Sequence, residues 1–283
     1  MKKMKRKQFI IQSALVAAGL QASSFMKSKK EIGIQLWSLK MAMQKNVDEA
    51  LKRVADAGYS FVEPAGHDLN AGTFHGLKPR ELRKKVNGLG MKMYSCHCQI
   101  SGNNAAKICE QAAEAGLKYV IRPSLSSLER ESIDAYKKVA DEFNNIGEVA
   151  KKSGLQFGFH NHAQEFEEKN GQLPYDILLS GTDKNNVVFQ MDIGWVVFAK
   201  QSPVTFFKKY PGRFPLWHIR DLDALTRDSI AIGKGDLDFS SIFKEKKLAG
   251  LKYGIVEISS KDETNVFEHI QFSNDFLNEA SFY

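Results

Sequence analysis

One phrase is written five times along this chain: a helix-like stretch closes on glycine and a short apolar run follows. It reads DAGYSFVE (56–63), GLGMKMYS (88–95), EAGLKYVI (114–121), KSGLQFGF (152–159) and LAGLKYGIVE (248–257). Glycine just past a helix takes the left-handed conformation that caps the last carbonyls, and the unbroken apolar run behind it suits a strand covered on both faces. Each copy is a junction from helix into buried strand, so the chain alternates the two elements.

Less regular units complete the pattern. Strands are expected near 32–37, 60–63, 91–97, 117–122, 155–160, 187–192, 215–220 and 253–258. Helices are expected at 47–57 behind Asn46, 79–88 opened by Pro79, 104–115, 131–152, 174–180, 203–210 opened by Pro203, 239–248 and 263–279. Strict alternation demands parallel strands with right-handed crossovers, and eight units in about 250 residues favour a closed (β/α)8 TIM barrel, an α/β fold, over an open sheet. No glycine-rich phosphate loop follows the first strand, which removes the main support for an open dinucleotide-binding sheet. Residues 31–283 read as one barrel domain behind a leader at 1–30.

The formal charge of +7 belongs to that leader. Residues 1–30 hold 8 of the 40 Lys and Arg and no Asp or Glu, which leaves 32 basic against 33 acidic residues in the rest. A nearly neutral body is a poor match to nucleic acid. The cationic MKKMKRKQF, the apolar Ile10 to Leu20 and the small residues Ala22 to Ser24 have the layout of an export signal, with an apolar run too short to span a bilayer. KRKQFI is similar to a twin-arginine motif with Lys7 in place of the second arginine. The expectation is export to the periplasm, without stable membrane insertion once the leader is removed, or a cytoplasmic protein if the leader is not functional. The three cysteines, Cys96, Cys98 and Cys109, imply no disulfide framework and suit buried small apolar positions.

In a barrel of this kind chemistry sits at the C-terminal ends of the strands. The polar residues there are Gln35 and Trp37, Glu63, His97, Arg122, His160 and His162, Asp192, His218 and Arg220, and Glu257. His160 and His162 share one strand face, as do His218 and Arg220, while Val256 and Ile258 flank Glu257 on the opposite face; if the apolar flanks meet the helices, His160, His218 and Glu257 point into the lumen. Imidazole and carboxylate donors without thiolate suit one divalent ion such as Mn, Mg, Co or Zn.

GIQLWSLK, YSFVEPAGH, GLQFGFHNHAQEF, FQMDIGW, YPGRFPLWHIRD, IGKGDLDFSSIF and YGIVEIS together resemble the sugar phosphate isomerase/epimerase family of the xylose-isomerase-like barrels. The resemblance covers about residues 31–280. It implies a divalent metal held by a carboxylate near strand five, Asp192, His218 and Glu257. Ketose epimerases of this superfamily have Glu where this chain has His160, so the fourth ligand is expected to be Glu165, swung back from the loop. The alternative makes His160 the ligand and Glu165 its orienting partner.

The resemblance implies sugar chemistry through an enediolate, which needs a cation beside its oxygens and a base beside the carbon. His160 or His162 is the candidate base, and Glu63 and His97 are candidate proton donors or hydroxyl ligands across the mouth. Arg122, Arg220 and Lys234 are candidate holders of an anionic group, and Trp37 or Trp195 can stack on a sugar face. IGKGDLDF looks like a phosphate cradle, but it is read as the loop into helix seven. The expected function is a metal-dependent sugar isomerase or epimerase with a small-molecule sugar as partner. The alternatives are a 3-keto-sugar or glycoside lyase or hydratase and a non-catalytic carbohydrate-binding barrel; a tri-zinc apurinic-site endonuclease is disfavoured by the neutral body. A homo-oligomer is compatible with the sequence.

Overall fold

The computed structural model describes residues 30–259 and 264–283, and the leader expected at 1–30 lies, but for Lys30, outside them. Eight parallel strand positions form the sheet: β1 (Ile32–Gln35), β2 (Phe61–Glu63), β3 in two pieces (Lys92–Met93 and Ser95–His97), β4 (Tyr119–Arg122), β5 (Gln156–His160), β6 (Val187–Asp192), β7 (Leu216–Ile219) and β8 (Tyr253–Val256). β1 pairs with both β2 and β8, and the remaining neighbours follow in sequence. The first piece of β3 pairs with β2 and the second with β4. The ladder is interrupted at Tyr94, whose carbonyl accepts from the Lys118 and Tyr119 amides at 2.8 and 3.0 Å, and His97 N–H reaches back to the Pro64 carbonyl at 2.8 Å. The third strand thus closes the ring, as the expected barrel requires.

The five phrase glycines, Gly58, Gly90, Gly116, Gly154 and Gly250, all have φ between 69° and 92°. A side chain is costly in that region, which is why the phrase repeats the residue. Helices at Val47–Asp56, Pro79–Gly88, Ala105–Glu114, Ile133–Lys152, Pro174–Gly181, Pro203–Lys209 and Val266–Glu279 stand where the pattern puts them. The helix expected at 239–248 is divided into Phe239–Phe243 and Lys246–Ala249. The first strand stops at Gln35 rather than residue 37, because Gln35 Oε1 accepts from Trp37 N–H at 3.1 Å and turns the chain. A further short helix, Ile193–Phe198, is capped by Asp192, whose Oδ1 accepts from Trp195 N–H at 3.0 Å.

The lumen is filled in layers. Phe61, Tyr119, Ile121, Leu216 and Ile255 form an apolar floor, and a Cβ on Gly33 would lie 2.1 Å from the Phe61 ring, so glycine makes room for it. Above that floor the lumen turns polar, with Gln35, Glu63, Ser95, His97, Gln190 and His218 all buried. Buried polar groups must be paired to be tolerated, so this layer is where structure is spent on something other than stability. Cys96, Cys98 and Cys109 are free and buried, as their spacing suggested. Among the described residues no helix is long and apolar enough to cross a membrane.

Candidate metal and substrate site

Four of the strand-end residues converge. His160, Asp192, His218 and Glu257 each offer a ligand atom within 4.8 Å of the others, and all four are buried. His218 and Asp192 are register partners on β7 and β6, while His160 ends β5 beside Gln190. Nδ1 of His160 is buried and meets no hydrogen-bond partner. Two carboxylates and two imidazoles, one of them with an orphaned ring nitrogen, form a donor set that fits a divalent ion.

Glu165, the expected fourth ligand, stands outside this group. Its Oε2 accepts from the His162 N–H at 2.7 Å, closing the first turn of the short Ala163–Phe166 helix. Burial pushes its carboxyl up to about 7. The local capping geometry holds it, since a carboxylate three residues on satisfies an otherwise orphaned amide.

Cations on the protein stand against the carboxylates. The His218 ring donates from Nδ1 to Glu257 Oε2 at 2.5 Å and from Nε2 to Glu63 Oε2 at 2.6 Å. Burial pulls its pKa down, but Glu257 and Glu63 outweigh that and hold it up at about 10. Arg220 donates from Nε to Asp192 Oδ2 at 2.9 Å, places Nη2 3.0 Å from Glu257 Oε2 and donates from Nη1 to Ser259 Oγ at 2.8 Å. Its chain packs across Gly194, where a Cβ would come within 2.7 Å of it, and its guanidinium lies 5.2 Å from the Trp195 ring centre.

Glu63 does not line the mouth. It is fully buried and its oxygens accept from four neighbours, Gln35 Nε2 at 2.8 Å, Gln190 Nε2 at 2.8 Å, Ser95 Oγ and His218 Nε2, while His97 Nε2 lies 3.3 Å away. Burial raises its carboxyl, but His97 and His218 bring it down to about 2. Gln190 and Ser95 were missed in the sequence. Gln190 sits two residues before Asp192 and so shares its face, a parity signal that was available.

A cavity of about 330 Å3 opens above the cluster; His97, His160, His162 and Glu257 line it together with the exposed Trp37 and with Ala65, Gly66, His67, Gln99, Pro123 and Ser124. Burial lowers the pKa of His97, lowers that of His160 well below the usual range, and brings that of His162 to about 4. His97 Nε2 donates to Gln190 Oε1 at 2.6 Å.

The other expected contacts lie elsewhere. Arg122 is clamped by Glu129 at 2.6 Å and Glu142 at 3.3 Å. Lys234 is exposed, 4.6 Å from the Phe272 ring centre. Gln35 serves Glu63 from beneath, and Trp195 meets His162 at 5.7 Å between ring centres.

A family model described as the xylose isomerase-like TIM barrel matches residues 51–276. The chain belongs to that family. A crystal structure of a sugar phosphate isomerase/epimerase from Parabacteroides distasonis is 30% identical to it, with a TM-score of 0.80, over 92% of this chain and 97% of that one. The IolI protein, crystallised with a bound zinc atom, matches at a TM-score of 0.68 and 15% identity over 90% and 99% of the two chains, a likeness of fold. Among curated proteins, an inosose dehydratase of Clostridium perfringens is 27% identical over 128 residues. That match spans 39% of this chain and 42% of the dehydratase, so the chain spans less than half the length of this curated relative.

Proposed function

We propose that this xylose isomerase-like barrel is a divalent-metal-dependent sugar isomerase or epimerase working through an enediolate. The observation that carries the reading is the convergence of His160, Asp192, His218 and Glu257 beneath a cavity that His97 and His162 also line. We assign the metal to these four, with His160 taking the place expected for Glu165. Its unpartnered Nδ1 supports this, as does the engagement of Glu165 with its own turn. Once bound, the ion supplies Lewis acidity to a carbonyl and its adjacent hydroxyl.

The protein's own groups do the rest. His162, just past β5, and His97, at the end of β3, line the cavity, and burial favours their neutral form, so they can accept a proton from the carbon beside the carbonyl or return it on the other side. Glu63 holds His218 in place, and Arg220 holds Asp192 and Glu257. Trp37, exposed at the rim, offers an apolar face to a ring.

A second reading is elimination of water from a keto sugar or cyclitol. It begins with the same proton abstraction and is favoured by the similarity to inosose dehydratases. The two separate in deuterated water. Metal-loaded protein is incubated with aldoses, ketoses and 3-keto sugars. Deuterium at a carbon next to the carbonyl with the sugar otherwise intact or epimerised supports the first reading; an unsaturated product supports the second. The absence of metal-dependent exchange and of product from every sugar would sink both.

A further inference from the structure

We infer that the site selects an uncharged sugar and rejects its phosphorylated or carboxylated counterpart. The inference deepens the reading above by giving a substrate class to the same cavity.

The strongest observation lies in the loop after β7. In barrels of this type phosphate is commonly held after strands seven and eight, by backbone amides. Here the IGKGDLDF loop presents such amides, and a carboxylate of the chain already occupies them. Asp221 Oδ2 accepts from Gly233 N–H at 2.8 Å and Gly235 N–H at 3.0 Å, and Oδ1 accepts from Leu222 N–H at 3.0 Å and Leu237 N–H at 3.4 Å. A Cβ on Gly235 would fall 2.2 Å from Asp221 Oδ1, so the loop is closed around this residue. An incoming phosphate would have to displace a buried carboxylate of like charge.

The side-chain cations are spoken for as well. Arg122 is neutralised by Glu129 and Glu142, and Arg220 by Asp192 and Glu257. Lys40 rests with its Nζ 5.3 Å from the Trp37 ring centre, and Lys234 rests against Phe272. Among the described residues no Lys or Arg lines the cavity, whereas Glu257 does. Beneath the cavity the charges are paired with one another: Arg220 with Asp192 and Glu257, and the His218 ring between Glu63 and Glu257. An anionic group would meet the Glu257 carboxylate and no Lys or Arg among the described lining residues, and transfer of an unpaired anion out of water is costly.

The test uses the full chain and calorimetry. Inorganic phosphate titrated into metal-free protein is expected to show no saturable binding tighter than about 1 mM. Pairs of ketoses and their phosphates, titrated into metal-loaded protein, are expected to show no tighter binding for the phosphate ester. Placing an unpaired cation at the rim with Gln99→Arg is expected to tighten the phosphate esters at least tenfold over wild type. Saturable phosphate binding to wild type, or a phosphate ester bound tenfold tighter than its neutral partner, overturns the inference. Loss of deuterium exchange for all sugars would count against the enediolate reading alone, because the phosphate titration still reports charge selection.

Discussion

The Nε2 of His218 donates to the Glu63 carboxylate at 2.6 Å, joining two residues 155 positions apart at the centre of the lumen. Glu63 is saturated by donors from β1, β3, β6 and β7, so its part in the proposed function is to fix the ring of a proposed metal ligand. Removing its charge with Glu63→Gln should lower metal affinity and activity together by about ten- to a hundredfold, the usual cost of losing a carboxylate behind a metal-bound histidine. Unchanged affinity in a metal titration, with the fold intact by circular dichroism, would count against that role.

The four proposed ligands predict a contrast between neighbouring histidines. Asp192→Asn, Glu257→Gln and His160→Gln should each lose metal, measured as ion content of the purified protein. His162→Gln should retain metal and lose proton exchange by about a hundredfold or more. Full metal content in His160→Gln would return the fourth position to Glu165.

Metal binding should release a proton. Between the carboxylates of Glu257 and Glu63 His218 stays protonated up to about pH 10, and a ligating imidazole must be neutral. Affinity should therefore rise about tenfold per pH unit through the neutral range. Calorimetry in buffers of different ionisation enthalpy reads the proton directly; a pH-independent affinity would contradict the arrangement.

Glu165 makes a prediction about stability. Burial raises its carboxyl from the usual range to about 7, partly offset by the His162 amide and Arg130, while Glu167 adds to the rise. A carboxyl raised in the folded state binds more protons there than in the unfolded chain, so stability falls as pH rises from about 4.5 to 7 and then levels. Glu165→Gln keeps an oxygen for the His162 amide and removes this loss. It should flatten that part of the profile and raise the thermal midpoint at pH 8 relative to wild type, with metal content unchanged. A midpoint lowered at pH 8 would show that the ionised carboxylate is favourable where it stands.

Trp37 is 48% exposed at the cavity rim, and truncating it should disturb little of the fold. Trp37→Ala is expected to raise KM about tenfold with kcat within a factor of a few and metal content unchanged, the signature of a group that binds substrate and transition state alike. A fall in kcat at constant KM would move Trp37 into the chemistry.

The order of elements and the closed barrel were legible in the chain because their signals are local. A glycine at positive φ, an apolar run and a helical period each depend on a handful of consecutive residues, and five repeats of one junction leave few topologies. The strand-end list was legible for the same reason: position along a strand and parity are both local. Asp192, His218 and Glu257 came together as that list implied.

Which side chains share a point was decided only by closure of the ring. Glu165 and His160 are five residues apart and equally able to ligate by sequence. The turn after β5 gives Glu165 an amide to cap and leaves the His160 ring over Asp192 and Glu257. Glu63 reads as a residue of the mouth, yet the layer it belongs to is filled by glutamines, a serine and histidines from four other strands, which turn it inward. Arg122, Arg220 and Asp221 are charged groups at strand ends with no sequence mark to say whether they await a ligand or already have a partner. Buried charge must be compensated, and the compensating groups come from elements brought near only by the fold.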